Sequence, residues 1–143
     1  LECTDSHFIK TGTPYMEKLW EYCAINNRSL ALQGEIIGPG IQGNPYKLDT
    51  HEIYFFNVYD IDARRRLTHD EANTIIRSEL GAKTVPFCYQ ETLNFDMDSL
   101  ITLADGRSYL NGSTNREGIV VRALDGSFSF KVISNKWLLK EKD

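Results

Sequence analysis

Residues 117–133 read Glu117-Gly118-Ile119-Val120-Val121-Arg122-Ala123-Leu124-Asp125-Gly126-Ser127-Phe128-Ser129-Phe130-Lys131-Val132-Ile133. Two runs dense in β-branched and aromatic residues flank Asp125-Gly126, a turn pair. The segment therefore predicts an antiparallel hairpin, Gly118 to Ala123 and Ser127 to Ile133. A glutamate opens it and a lysine sits near its far end. Such a pair suits an anionic centre, the lysine neutralising phosphate and the glutamate holding a divalent cation. It equally suits a solvated cross-strand ion pair. Register separates the two. A two-residue Asp125-Gly126 turn pairs Leu124 with Ser127 and puts Glu117 and Lys131 on opposite faces. A three-residue loop, Leu124 to Gly126, pairs Ala123 with Ser127 and puts Lys131 on Glu117's face. The functional reading expects the three-residue loop.

Upstream, Ser29 to Ile37 reads as a strand with Leu30, Leu32 and Ile36 on one face and Ala31, Gln33 and Glu35 on the other. Glu52 to Ile61 is a second strand, where alternation puts Phe55, Asn57, Tyr59 and Ile61 on one face. A helix is expected from the Thr13-Pro14 N-cap and first-turn pair to Asn26-Asn27. Thr68-His69-Asp70-Glu71 is a capping box opening another, which Gly81 stops. Thr84 to Tyr89 reads as a short strand and Met97 to Ala104 as a helix. Hairpins outnumber βαβ units, so the expected class is α+β, antiparallel sheets flanked by helices.

The 143 residues suffice for one real core. No apolar run is long enough for a membrane helix, and no basic and apolar leader opens the chain. Cys3, Cys23 and Cys88 are an odd count without zinc spacing, as expected of reduced thiols in a cytoplasmic protein. The formal net charge of −4 argues against a dedicated nucleic-acid binder.

Gly38-Pro39-Gly40-Ile41-Gln42-Gly43 fits GxGxxG after a strand. The next residues, Asn44-Pro45-Tyr46, cannot cleanly start the helix whose amides would hold a pyrophosphate, so a dinucleotide site is not expected. Glu35, beside this loop, can accept hydrogen bonds from a ribose or can be a solvated strand residue. Tyr59, before Asp60, can stack on a purine or pack in the core.

The order of these elements is more specific than any one of them. Gln33 to Gly40, Tyr54 to Ile61, Glu117 to Val121 and Lys131 to Lys136 together resemble the covalent nucleotidyltransferases. Within them the chain is most similar to nick-sealing RNA ligases of the type-2 and Deinococcus-type groups. The resemblance implies that Glu35 contacts ribose, Tyr59 stacks on adenine, Glu117 acts near phosphate and metal, and Lys131 contacts the α-phosphate. It implies ATP and Mg2+ or Mn2+ as cofactors, and RNA ends or a nicked duplex as partner. The family's second lysine, two residues after the first, is Ile133 here, and Lys136 can carry part of that charge. The KxDG lysine that attacks ATP does not occur among the 34 residues before Glu35. Lys47-Leu48-Asp49-Thr50 imitates it, on the wrong side of Glu35 and without the glycine. With no initiator Met at Leu1, the expectation is the C-terminal part of one adenylylation domain, inactive alone, lacking an upstream nucleophile segment and by analogy an OB domain. The alternatives are a non-catalytic nucleotide- or RNA-binding module, and a DNA ligase or capping enzyme.

Overall fold

The computed structural model describes residues 6–88, 90, 92 and 96–140. They form two compact units. The first comprises Leu1–Val85 with Leu124–Ser127, the second Pro86–Ala123 with Phe128–Asp143.

In the first unit, α1 (His7–Asn26) precedes β1 (Leu30–Ile37), β2 (Glu52–Asp60) and β3 (Arg65–Arg66). The helix begins before Thr13-Pro14: Ser6 is its N-cap and Pro14 lies inside it. Pro14 has no N–H for the helix ladder, and the Thr13 hydroxyl next to it donates to the Ile9 carbonyl at 2.8 Å. The Thr68 capping box forms as expected and opens α2 (His69–Asn73), which runs on into a π-helical turn, Thr74–Glu79. The helical spacing of Tyr15, Leu19, Trp20 and Cys23 predicts one apolar face, but Trp20 is 73% exposed and Tyr22 takes its place. Tyr15, Leu19, Tyr22 and Cys23 line the inner side of α1 and pack on a core of Leu30, Phe55, Val58, Leu67, Ile75, Ile76 and Leu80. Tyr15 meets Phe55 edge to face, centroids 5.3 Å apart.

The sheet departs from simple alternation at one point. β1 and β2 pair antiparallel, with Gln33 opposite Asn57 but Gly34 opposite Phe55, so Phe56 is an extra residue in β2. The bulge needs Gly34, where a Cβ would stand 2.8 Å from both the Phe55 ring and the Tyr54 carbonyl. It also corrects the expected face. Phe55 turns inward with Val58, while Asn57 and Tyr59 stay outward and Tyr54 joins them. One sheet face thus carries Leu30, Leu32, Ile53, Phe55 and Val58, and the other Ala31, Gln33, Glu35, Tyr54, Asn57 and Tyr59. The strand expected at Thr84 to Tyr89 is two residues, β4 (Lys83–Thr84), and Tyr89 lies outside the described residues. β4 pairs parallel with β2, a short exception in an otherwise antiparallel α+β fold.

The second unit holds α3 (Met97–Ala104), the hairpin β5 (Gly118–Arg122) and β6 (Ser129–Ile133), and α4 (Asn135–Lys140). Asp96 caps α3, accepting from the Ser99 amide at 2.7 Å. The Arg116 guanidinium closes its other end, donating to the Leu103 and Ala104 carbonyls. Ser134 is wholly buried. Its hydroxyl donates to Asp105 at 2.6 Å and accepts the Trp137 amide at 3.2 Å, which starts α4 where the hairpin ends. That hydroxyl, first among several donors, holds the Asp105 carboxyl below its usual range.

The hairpin register differs from the one the functional reading expected. Val120 pairs with Lys131 and Arg122 with Ser129, and the Ala123 amide donates to Phe128 at 3.1 Å, so the loop is four residues, Leu124 to Ser127. This is the pairing of the two-residue turn, not of the three-residue loop. Residues 124–127 pack with the first unit, where the His69 amide donates to the Leu124 carbonyl at 2.8 Å.

Candidate functional site

On the outward face of the first unit's sheet, the residues fall in cross-strand rows. Glu35 faces Tyr54, Gln33 faces Asn57, and Ala31 faces Tyr59, which is followed by Arg66 on β3. Glu35 and Tyr59 therefore share a face, two rows apart. The middle row is held by the Asn57 amide donating to Gln33 Oε1 at 2.7 Å. Glu35 is exposed and makes no hydrogen bond or ion pair among the described residues, so its acceptors are available to a ligand hydroxyl. Tyr59 is half-buried, and its backbone is anchored through Asp60. Asp60 accepts from the Ala63 amide and from Arg28, both at 2.8 Å, and these bonds hold its carboxyl below the usual range.

A charged group not singled out from the sequence lies on the far side of Tyr54 from Glu35. Tyr54 is flanked on its other side by Lys83 of β4. The Lys83 ammonium bonds Glu52 Oε2 at 2.7 Å and lies 5.5 Å from the Tyr54 ring centroid, and the Tyr54 hydroxyl donates to the same Glu52 oxygen at 2.8 Å. Lys83 and then Tyr54 hold the Glu52 carboxyl below its usual value, and Glu52 raises that of Lys83. Burial, then the bond to Glu52, raises the Tyr54 phenol. The sequence signal for this triad is weak, because parallel pairing of β4 with a strand more than 20 residues earlier leaves no local pattern.

The Gly38-to-Gly43 loop is no helix start. It closes in successive turns, with the Ile41 amide bonding Gly38 at 3.1 Å and the Asn44 amide bonding Ile41 at 2.8 Å. The dinucleotide motif is absent as a structure, in line with its sequence.

In the second unit, Glu117 and Lys131 form an ion pair despite the register. Strict alternation would separate them, but Glu117 precedes the first residue of β5 and is not bound by the pleat. Its carbonyl still accepts the Ser134 amide at 2.8 Å, which fixes its backbone against β6. Gly118 brings that backbone close, since a Cβ there would stand 2.1 Å from the Val132 carbonyl. Both side chains stay 42–47% exposed, so the pair adds no more than about 1 kcal/mol to stability. Its value lies in two opposite charges held side by side and accessible. Ile133, in the place of a second lysine, is on Lys131's face and 43% exposed. Lys136 does not join the pair. It lies in the first turn of α4, its amide directed at Asp105 Oδ1 at 3.4 Å.

No group of three or more metal-ligating side chains occurs among the described residues. Glu117 is one accessible carboxylate. That donor set fits Mg2+ or Mn2+ carried largely by substrate phosphates, a mode in which protein supplies one or two carboxylates. A concave surface lined by Asp96, Asp98, Ser99, Asp105 and Arg116 includes none of Glu35, Tyr59, Glu117 and Lys131. Asp96, Asp105 and Arg116 there are engaged as caps. No helix among the described residues is long and apolar enough to cross a membrane.

The fold and these residues have known counterparts. The profile of the RNA ligase family matches residues 3–137. Among solved structures, Naegleria gruberi RNA ligase with PPi is 39% identical, with a TM-score of 0.86 over 100% of this chain and 43% of that chain. A point mutant of that ligase with ATP and Mn is 41% identical, with a TM-score of 0.83 over 93% of this chain and 40% of that one. Another point mutant, with AMP and Mn, is 38% identical, with a TM-score of 0.87 over 99% and 43%. No match was found among curated proteins. The chain spans about two fifths of the ligase it matches. With a profile match over nearly its whole length and the same fold in an RNA ligase, the chain belongs to the RNA ligase family.

Proposed function

We propose that this chain is the nucleotide- and phosphate-handling part of an ATP-dependent RNA ligase that joins 3′-hydroxyl and 5′-phosphate RNA ends. The observation that carries this reading is the exposed Glu117–Lys131 pair, two opposite charges kept adjacent and accessible on the hairpin at little benefit to stability.

In this reading Glu35 accepts hydrogen bonds from the ribose and Tyr59 stacks on adenine. Lys131 leaves Glu117 for the α-phosphate and stabilises the charge that builds on its oxygens in each transfer. The exchange costs little, because the pair is solvated and its Coulomb gain is small. Glu117, once released, would help hold a divalent ion, which would supply charge neutralisation at the phosphate. Lys136 adds long-range positive charge only, since its ordered contact is a backbone one.

The parent reaction has three transfers. A lysine amine attacks the α-phosphorus of ATP, forming a P–N bond and expelling pyrophosphate. An RNA 5′-phosphate oxygen displaces the lysine, giving RNA-adenylate. A 3′-hydroxyl then attacks the 5′-phosphate, losing its proton and releasing AMP. The lysine must attack as a neutral amine, which requires a lowered pKa. No KxDG sequence occurs in these 143 residues, so the nucleophile would come from outside them, as would an OB domain. We place the enzyme in the cytoplasm, in keeping with the free thiols of Cys23 and Cys88.

The test is transfer of labelled AMP from ATP in a protein extended upstream, with magnesium or manganese. A phosphoramidate label on a lysine, missing from the 143-residue chain and lost on Lys131→Ala, is expected. A folded, extended protein that takes no label would leave a binding module instead.

A further inference from the structure

We propose that the β2–β3 hairpin tip, through Arg64 and Arg66, is a contact site for the phosphate backbone of the RNA strand. The choice of RNA as the polyanion rests on the ligase reading; the site itself stands on separate observations.

Arg64, Arg65 and Arg66 are consecutive and exposed in a chain of net charge −4. Among the described residues only Arg65 of the three has a charged partner, Glu71 at 3.5 Å. Arg64 and Arg66 have no ion pair and no side-chain hydrogen bond among the described residues. The acids of the same turn are engaged by neighbouring groups. Asp60 is taken by Arg28 and the Ala63 amide, and Asp62 accepts the Ser29 amide at 2.9 Å. The carboxylates thus tie the turn down while two guanidinium groups are left to solvent.

Position strengthens the case. Arg66 lies directly across from Tyr59, in the row Ala31, Tyr59, Arg66, and so on the face that carries Glu35. Arg64 sits at the bend, at φ 53°, a backbone setting that a non-glycine residue rarely takes. Ile61 at the same turn is 50% exposed and gives an apolar surface beside the charges. Guanidinium groups bind phosphate oxygens in a forked, two-bond geometry that a solvated lysine does not reproduce. A purely solubilising charge would not need arginine, nor neighbouring acids engaged by other partners.

Phosphate could also come from ATP, so the experiment separates the two sources. Binding of a fluorescent single-stranded RNA of about 12 nucleotides and of ATP to the 143-residue chain would be measured between roughly 25 and 200 mM salt. The variants are Arg64→Ala/Arg66→Ala, the same pair changed to Lys, and Arg77→Ala as an exposed arginine elsewhere. For the double alanine variant we expect RNA affinity about tenfold lower at low salt, and a salt slope shallower by about 1.4, two single-strand phosphate contacts. ATP affinity should not move, Arg77→Ala should match wild type, and the lysine pair should keep the slope but lose part of the affinity. Unchanged RNA binding in the double alanine variant overturns the proposal. So does a wild-type chain that fails to bind RNA at the lowest salt, an equal loss in Arg77→Ala, or a loss confined to ATP. RNA binding at this tip, with no labelled AMP taken up by the folded, upstream-extended protein, would sink the ligase reading and leave the site standing.

Discussion

Substituting Gly118 by alanine tests how the Glu117–Lys131 pair is held. An added Cβ would lie 2.1 Å from the Val132 carbonyl oxygen and 2.9 Å from Ile133 Cα, where ordinary contact begins near 3.4 Å. The two strands must part by roughly 1.3 Å at that rung to relieve the overlap. The Ser134 amide to Glu117 carbonyl bond, now 2.8 Å, would then exceed hydrogen-bonding distance, and its neighbour in the ladder would weaken. At about 1 kcal/mol per bond with some residual strain, the local cost is about 2–3 kcal/mol. Hydrogen exchange at the Ser134 amide and along β6 should accelerate about 30- to 150-fold, since about 1.4 kcal/mol is tenfold. The Leu67 amide, bonded to Val58 at 2.9 Å in the other unit, serves as internal reference and should change little. Gly112→Ala, with nothing within 4 Å of its Cβ, is the neutral control. If Gly118→Ala keeps β6 exchange within about threefold of wild type, the close approach does not hold the pair and the reasoning fails.

Tyr59→Ala should weaken adenylate binding by about 1–3 kcal/mol whereas Tyr59→Phe keeps it, as measured by calorimetric titration; equal losses would exclude stacking. Thr68→Ala removes one half of the capping box and should cost about 1 kcal/mol in urea unfolding, with Thr68→Ser near wild type. The Glu52 carboxyl, held low chiefly by Lys83, stabilises the fold fully above its unfolded value, and that contribution is lost as pH falls through the depressed folded one. Lys83→Met should therefore flatten the acid side of the stability–pH curve below the ordinary glutamate range, and an unaltered curve would show that the bond is not formed in solution. Lys131→Ala should change unfolding by less than about 1 kcal/mol while removing ligation in an extended enzyme; a large stability loss would make the pair structural.

How far the sequence carried depended on how local each feature is. The capping box at Thr68, the α3 segment and the hairpin strands are written in neighbouring residues, and they formed where expected. The Thr13-Pro14 pair misled because an N-terminal proline signature and an internal proline look alike, and only Ser6 reveals the true start. Alternation grouped Ala31, Gln33 and Glu35 in one strand and Asn57 and Tyr59 in the other correctly, yet assigned Phe55 to the latter group. The extra residue at Phe56 shows only in pairing with β1. The hairpin register was missed for a related reason: residues 124–127 answer to contacts with His69, distant in sequence. Glu117 met Lys131 all the same because it lies outside the pleat, an outcome no periodicity rule encodes.

The assignment of Leu124–Ser127 to the first unit bears on how the chain assembles. The first unit is not finished when Val85 has been made. Its last piece emerges only after Pro86–Ala123 has been synthesised, so a nascent chain leaving the ribosome must hold an incomplete body through that interval. The His69–Leu124 bond closes a loop of over 50 residues, whose closure entropy grows only slowly with length but delays the contact. A fragment ending at residue 85 would leave the His69 amide without this acceptor, and a circular permutation opened inside the Leu124–Ser127 turn would remove the tether at its source.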